Sequence, residues 1–257
     1  MSTASHHRPR GQMSEAFLTA AFLSASGGLQ DAYTYIARGE VFANAQTGNI
    51  VLLSQNLFAG DWGRALHYLV PLTFFALGIA AAELVRFQYQ KATRIHWRQL
   101  VLLAEIALLF VVGLMPGRLD LLANAVVSFS CAMQVQAFRK VDGYAFASTM
   151  CIGNLRSGMD SLCAYLRTRN REPLRKAVHY FAIIFLFALG AGLGGLAIPH
   201  LGSRTIWLSC ALLVVGLLLM FMKEETEEHP ELRQAEKILE QDLKQEADDL
   251  LSHLEHK

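Results

Sequence analysis

The sequence predicts an all-α, polytopic integral membrane protein carrying a short water-soluble tail. Three observations carry that prediction. Of 257 residues, 53% are hydrophobic and only 18% charged, with a mean hydropathy of +0.29. The apolar residues gather in eight runs joined by short connections. Charge collects at the C-terminal end, where residues 223–257 are rich in Glu, Asp, Lys and His. Such a composition excludes a disordered or collagen-like chain. A net charge of +1 supplies no large basic surface, so no nucleic-acid partner is expected. Cys131, Cys151, Cys163 and Cys210 lie in or beside apolar runs, without CxxC or zinc-finger spacing. They read as small buried hydrophobes, and neither a disulfide framework nor a metal site is expected.

The runs cover 14–37, 41–60, 65–88, 99–116, 119–138, 144–166, 174–198 and 204–222. A helix needs about 20 apolar residues to cross the hydrocarbon core. The third, fourth, seventh and eighth runs meet that directly, and the first and fifth meet it with polar interruptions. Arg8 and Arg10, the apolar 16–23 and the small residues 24–27 imitate a secretory signal. Apolar character resumes after Gly28, so the first run is expected to stay as a span. The second run carries Asn44, Gln46, Thr47, Asn49, Gln55 and Asn56. The sixth carries Arg156 and Asp160, spaced to pair across one helical turn. Polar and charged groups at membrane depth must face a cavity or each other. These two runs are therefore expected to be broken or re-entrant elements.

The connections support that reading. The one after the third run carries Arg86, Lys91, Arg94 and Arg98, and the one after the sixth carries Arg167, Arg169, Arg171, Arg175 and Lys176. Arg38 with Glu40, Asp61 with Arg64, and Arg118 with Asp120 cancel within theirs. Eight crossings would put a basic connection outside, against the positive-inside rule. Six crossings put every basic connection and both termini in the cytoplasm. The predicted organisation is a cytoplasmic segment 1–13, a membrane domain 14–222 with six transmembrane helices, and a cytoplasmic helical tail 226–257.

The membrane domain repeats itself. Ala65, His67, Tyr68, Phe75, Ala76, Leu77 and Gly78 match Ala177, His179, Tyr180, Phe187, Ala188, Leu189 and Gly190 in one ungapped register. Thr47-Gly48-Asn49-Ile50 falls opposite Ile152-Gly153-Asn154-Leu155, and Gln30 opposite Gln134. Two units, 14–116 and 119–222, follow, and three crossings each would invert the second. Secondary transporters built this way place their sites where matching discontinuous segments meet. Here those are 42–50 and 147–155, with Gly48 and Gly153 expected to permit the break. Gln30, Asn44, Gln46, Thr47, Asn49, Thr149 and Asn154 offer neutral polar groups. The same groups would serve equally to satisfy the broken backbone. Asp31 follows a 15-residue uncharged stretch and is the foremost candidate for binding a cation or sensing charge. The alternative is an interfacial Asp that caps a helix or pairs with Arg38.

Gly28-Leu29-Gln30-Asp31-Ala32 followed by Val41-Phe42-Ala43-Asn44-Ala45-Gln46-Thr47-Gly48-Asn49 resembles the signature of the YoaK-like bacterial membrane proteins, a family defined by a domain of unknown function. The resemblance runs through about 14–222. It departs at Ile152, where a Thr would mirror Thr47. It implies a bacterial inner-membrane location and six spans, and carries no activity.

Other features read as structural. Glu83 is placed to pair with Arg86, whereas Glu105 has no basic residue nearer than Arg98, which leaves an interior-facing role open. His67 and His179 suggest matched architectural contacts. The GxGxxG at 190–195 lies inside an apolar helix, so Gly190 and Gly194 read as a packing face, not a dinucleotide site. No nucleophile elbow, HExxH or P-loop is present, so neither an enzyme nor a cofactor is expected. In the tail, Leu232, Ala235, Leu239, Leu243, Ala247, Leu250 and Leu254 mark an amphipathic helix after Pro230. It would pair with a second copy or pack on the basic cytoplasmic connections. The expected partners are thus the lipid bilayer, a small solute or ion, and a second copy of the chain through the tail. The implied function is a transporter- or channel-like membrane protein binding a small solute or ion. The alternative is a non-transporting scaffold or regulatory subunit acting through the tail.

Overall fold

A computed structural model describes residues 10–89, 97–141, 144–145 and 149–228. Among them the chain forms eight α-helices: α1 Arg10–Ala37, α2 Gln46–Phe58, α3 Trp62–Tyr89, α4 Trp97–Val112, α5 Asp120–Ala137, α6 Cys151–Thr168, α7 Arg171–Leu201 and α8 Ile206–Glu228. One helix stands on each apolar run, in order. The sole strand pair among these residues is Lys140–Val141 against Tyr144–Ala145, antiparallel. The chain divides into compact units at Leu217, and the first holds α1 to α7 and most of α8. The amphipathic helix expected over the tail, with its self-association, lies outside the described residues beyond Glu228.

Three helix boundaries fall short of the apolar runs by four residues or more. α4 stops at Val112, because Leu114 and Met115 donate to the carbonyls of Val111 and Val112 in tighter turns ahead of Pro116. α2 and α6 start several residues late, at Gln46 and Cys151. Residues 41–45 ahead of α2 and 149–150 ahead of α6 are not helical, so each of these runs is helical over only part of its length. The break does not fall at the glycines, however. Gly48 and Gly153 sit inside the first turns of α2 and α6, and neither has a positive φ.

α1 packs on α7 and α3 on α5, while α2 lies on α3, α6 on α7, and α4 on α5. Glycine sets how closely the first two pairs approach. A Cβ at Gly190 of α7 would overlap the carbonyl of Ala25 on α1, and one at Gly78 of α3 would overlap the carbonyl of Phe129 on α5. Small residues of this kind bring helix backbones together where no water drives association. Gly190 and Gly194 thus form the packing face that their spacing predicts, with Gly194 against Leu29 and Ala32.

The distribution of polarity is inverted relative to a water-soluble bundle. Ser24, Ser26, Gln30, Asp31, Thr34, Gln99, Glu105, Asn124, Ser128 and Gln134 are buried. Leu66, Leu77, Leu84 and Phe87 on α3 and Phe185, Leu193 and Leu196 on α7 are exposed. Leucine outside and amide inside is the pattern of a bundle solvated by lipid. Two helical stretches, Trp62–Tyr89 and Arg171–Phe221, are long and apolar enough to cross a membrane. α4, at 16 residues, is short of that length, and α1 and α5 carry buried amides and hydroxyls.

The end of α1 is fastened by an ion pair. Arg38 is 1% exposed and donates to Asp120 at 2.7 Å, to the Tyr33 hydroxyl at 2.8 Å and to the carbonyls of Met115 and Val112 at 2.9 and 3.2 Å. Burial works against its charge, but Asp120 and Tyr33 outweigh that and hold the guanidinium pKa above its ordinary value. The alternative pairing of Arg38 with Asp31 is therefore overturned. Glu83 does meet Arg86, at 3.4 Å, and also Arg139 and Gln136. His67 bonds the carbonyl of Gly39 at 2.7 Å and His179 stacks on Phe17, so both are architectural. Arg156 and Asp160 are exposed on α6 and make no ion pair with each other.

Candidate functional site

Gln30 and Asp31 are neighbours on α1, so their side chains leave the helix about 100° apart and address different surroundings. Gln30 enters the middle of the bundle and is fully buried. Its Nε2 donates to Ser26 at 3.0 Å, to Glu105 of α4 at 3.1 Å and to Ser209 of α8 at 2.9 Å. Ser26 and Ser209 are themselves 2.5 Å apart, and the Cys131 thiol of α5 donates to Gln30 Oε1 at 2.6 Å. One amide thereby ties four helices together. Glu105 faces the interior and is fully buried. The sequence signal for this cluster was Ser26 and Gln30 one turn apart in an apolar helix, but its partners come from α4, α5 and α8.

Asp31 turns toward the break before α2. It is 7% exposed, and its Oδ1 accepts the backbone N–H of Asn44 at 2.7 Å and the Asn44 amide at 3.5 Å. The same amide nitrogen donates to the carbonyl of Gly27, one turn earlier on α1, at 3.2 Å. The second break arrives at the same glycine. The Thr149 methyl lies so near Gly27 that a Cβ there would overlap it. Two residues, each just ahead of the helix that follows a break, thus meet on one turn of α1. Asn44 Oδ1 and Thr149 Oγ1 are both buried without a hydrogen-bond partner. Buried polar atoms are almost always paired, so an unpartnered oxygen on each of two residues that reach Gly27 calls for a ligand or water.

The remaining sequence candidates divide. Asn49 is fully buried and closes on Phe42 from both sides, accepting its N–H at 3.0 Å and donating to its carbonyl at 2.6 Å. It also donates to Gln46 at 2.9 Å, and Gln46 donates to the carbonyl of Ala43 at 2.8 Å. These two side chains satisfy the unwound backbone, which explains why no glycine is needed at the break. Gly48 packs under the Phe42 ring, which stacks in turn on Tyr35. Asn154 is buried at the start of α6, where its N–H caps the carbonyl of Met150. Thr47 and Gly153 are exposed and stand apart from the Asp31 cluster. Gly27 escaped the sequence reading; its signal was a small residue one turn before an intramembrane carboxylate. Among the described residues no three His, Cys, Asp or Glu side chains form a metal cluster.

Comparison with known proteins agrees with a membrane bundle of unassigned activity. No solved structure matches the chain. The UPF0700 transmembrane protein YoaK of Bacillus subtilis (strain 168) is 26% identical over 209 residues, which cover 77% of this chain and 90% of the relative. This chain exposes leucines on its helices and has two helical stretches long and apolar enough to cross a membrane, consistent with such a relative. A family model described as protein of unknown function (DUF1275) matches residues 19–219. Since that match takes in both breaks, Asp31 and well over half of the sequence, the chain belongs to the DUF1275 family.

Proposed function

We propose that this DUF1275 member is a six-span, bacterial inner-membrane protein of two inverted units, with both termini cytoplasmic, that binds and moves a small solute or ion at Asp31, Asn44 and Thr149. It is a binding and transport protein rather than an enzyme. The single observation that carries the reading is the meeting of Asn44 and Thr149 over Gly27, each with an unpartnered oxygen, beside a buried carboxylate. Transporters bring matching discontinuous segments to one such point.

Several equivalences support two copies of one unit. In the register that aligns Gln30 with Gln134, Ala25 corresponds to Phe129, and these are the carbonyls against which Gly190 and Gly78 sit. In the same register Val101, Leu102, Glu105 and Leu109 correspond to Thr205, Ile206, Ser209 and Leu213, and all eight are fully buried. Gln30 thus bonds corresponding positions of α4 and α8. The two halves differ at the site itself, where Asp31 has Val135 as its counterpart. The site is therefore unequal, with the charge supplied from the first unit.

The test is water access. Asn44→Cys and Thr149→Cys, each in a background without the four native cysteines, are exposed to a small membrane-impermeant thiosulfonate in oriented vesicles. Both are expected to label from an aqueous face. If neither labels from either face, the two breaks serve packing and the reading fails.

A further inference from the structure

We infer that the site over Gly27 takes a monovalent cation, held by the carboxylate of Asp31 and the side-chain oxygens of Asn44 and Thr149. The inference rests on the proposed site and adds the class of its ligand. The first ground is the sense of the unpartnered atoms. Asn44 spends its amide nitrogen on Gly27 and Asp31, and what it leaves over is an oxygen. Thr149 leaves a hydroxyl oxygen. With the carboxylate, the surroundings are oxygen lone pairs, the donor set that hard cations and ammonium groups take. An anion would meet Asp31 and the Asn44 lone pairs.

The second ground is charge. Among the described residues Asp31 is the carboxylate at this point, and the titratable groups of α5 and α6 that feel it are thiols, Cys131 and Cys151. Glu105 belongs to the Gln30 cluster, and Arg38 is committed to Asp120. One negative charge with neutral oxygens matches a single positive charge. A divalent ion in an all-oxygen site gains affinity from several carboxylates. The third ground concerns the helix starts at Gln46 and Cys151, whose positive ends would favour an anion. That influence fades within a turn, and on the α2 side Asp31 already answers it by taking the Asn44 amide.

The experiment measures thermal unfolding of the purified full-length protein in detergent. Sodium, potassium and methylammonium chloride are each titrated against choline chloride at equal ionic strength. At least one of the three is expected to raise the unfolding midpoint saturably over choline. Asp31→Asn should abolish that shift. Thr149→Val, which keeps the shape and removes the hydroxyl, should raise the half-saturating concentration about tenfold. If no small cation differs from choline, or if Asp31→Asn keeps the shift, the inference is overturned. Should Asp31→Asn fail to give monodisperse protein, Thr149→Val decides, and an unchanged half-saturating concentration overturns the inference. Labelling of Asn44→Cys and Thr149→Cys without any cation effect would remove the cation and leave the proposed function standing. Absence of labelling would remove that function whatever the cations do.

Discussion

Arg38 is a charged side chain placed deeper than most leucines of this protein, and its four acceptors explain why it stays there. Removing one member of a buried pair strands the groups that remain, a loss of roughly 3–5 kcal/mol. Arg38→Met, which keeps the bulk and leaves two carbonyls and Asp120 unpaired, is expected to lower the unfolding midpoint strongly. Asp120 is a third exposed and can turn to water, so Asp120→Asn should cost about 1 kcal/mol. Equal effects of the two substitutions in a thermal unfolding assay would contradict this account. Asn49 offers a second case. It alone meets both the N–H and the carbonyl of Phe42, so Asn49→Ala should destabilise by about 1–3 kcal/mol. The surface change Thr47→Ala, two residues away, should be silent. At this scale the sequence was legible where a polar residue interrupted an apolar run, as at Gln30, Asp31 and Glu105. It was not legible for Arg38, because Asp120 is remote in the chain and no local spacing pairs them. The nearby Asp31 was the visible partner, and Arg38 pairs with Asp120 instead.

Helices pack here through backbone proximity, and glycines separate contacts that matter from those that do not. Gly190 and Gly78 each face a neighbouring carbonyl that an added methyl would overlap, and a backbone atom cannot swing aside. Gly190→Ala and Gly78→Ala should therefore each lower stability by about 1–3 kcal/mol. Gly192, on the same helix as Gly190, has open space around it, as has Gly153 on α6. There alanine gains helix propensity, so Gly192→Ala and Gly153→Ala should be neutral or stabilising by up to about 1 kcal/mol. Unfolding midpoints of the four variants, read side by side, test the packing directly, and a Gly190→Ala variant as stable as Gly192→Ala would refute it. At the level of elements the periodicity of apolar runs located all eight helices. The starts of α2 and α6 were harder to place. The sequence suggests glycine as the reason for a break, whereas the break before α2 is held open by Asp31, Asn49 and Gln46, whose hydrogen bonds replace those of a helix.

At the scale of the whole bundle, the proposed duplication makes a prediction about which sides of the membrane the matching elements face. α3 packs on α5 as α7 packs on α1, and α2 lies on α3 as α6 lies on α7. A parallel and an inverted duplication could both produce that exchange of partners, and charge is what separates them. Around the junction of α2 and α3 Asp61 and Arg64 cancel, whereas Arg167, Arg169, Arg171, Arg175 and Lys176 gather around that of α6 and α7. Under the positive-inside rule the two corresponding connections lie on opposite sides. Gly63 and Thr168 sit at these connections and both are exposed, so a cysteine at either is reachable by reagent. The background must lose four cysteines without losing the core. Cys131→Ser keeps a donor for Gln30, and Cys210, which lies 3.8 Å from the carbonyl of Ile106, also suits serine. Cys151 and Cys163 are not buried and can become alanine. In intact cells Gly63→Cys should label with an impermeant maleimide, and Thr168→Cys should label only after permeabilisation. That pair of results makes the two units inverted and puts Asp31, Asn44 and Thr149 at the seam between them. If both positions stay shielded until permeabilisation, the units run in parallel. The breaks would then open toward the same side, and alternating access at Gly27 would lose its structural basis.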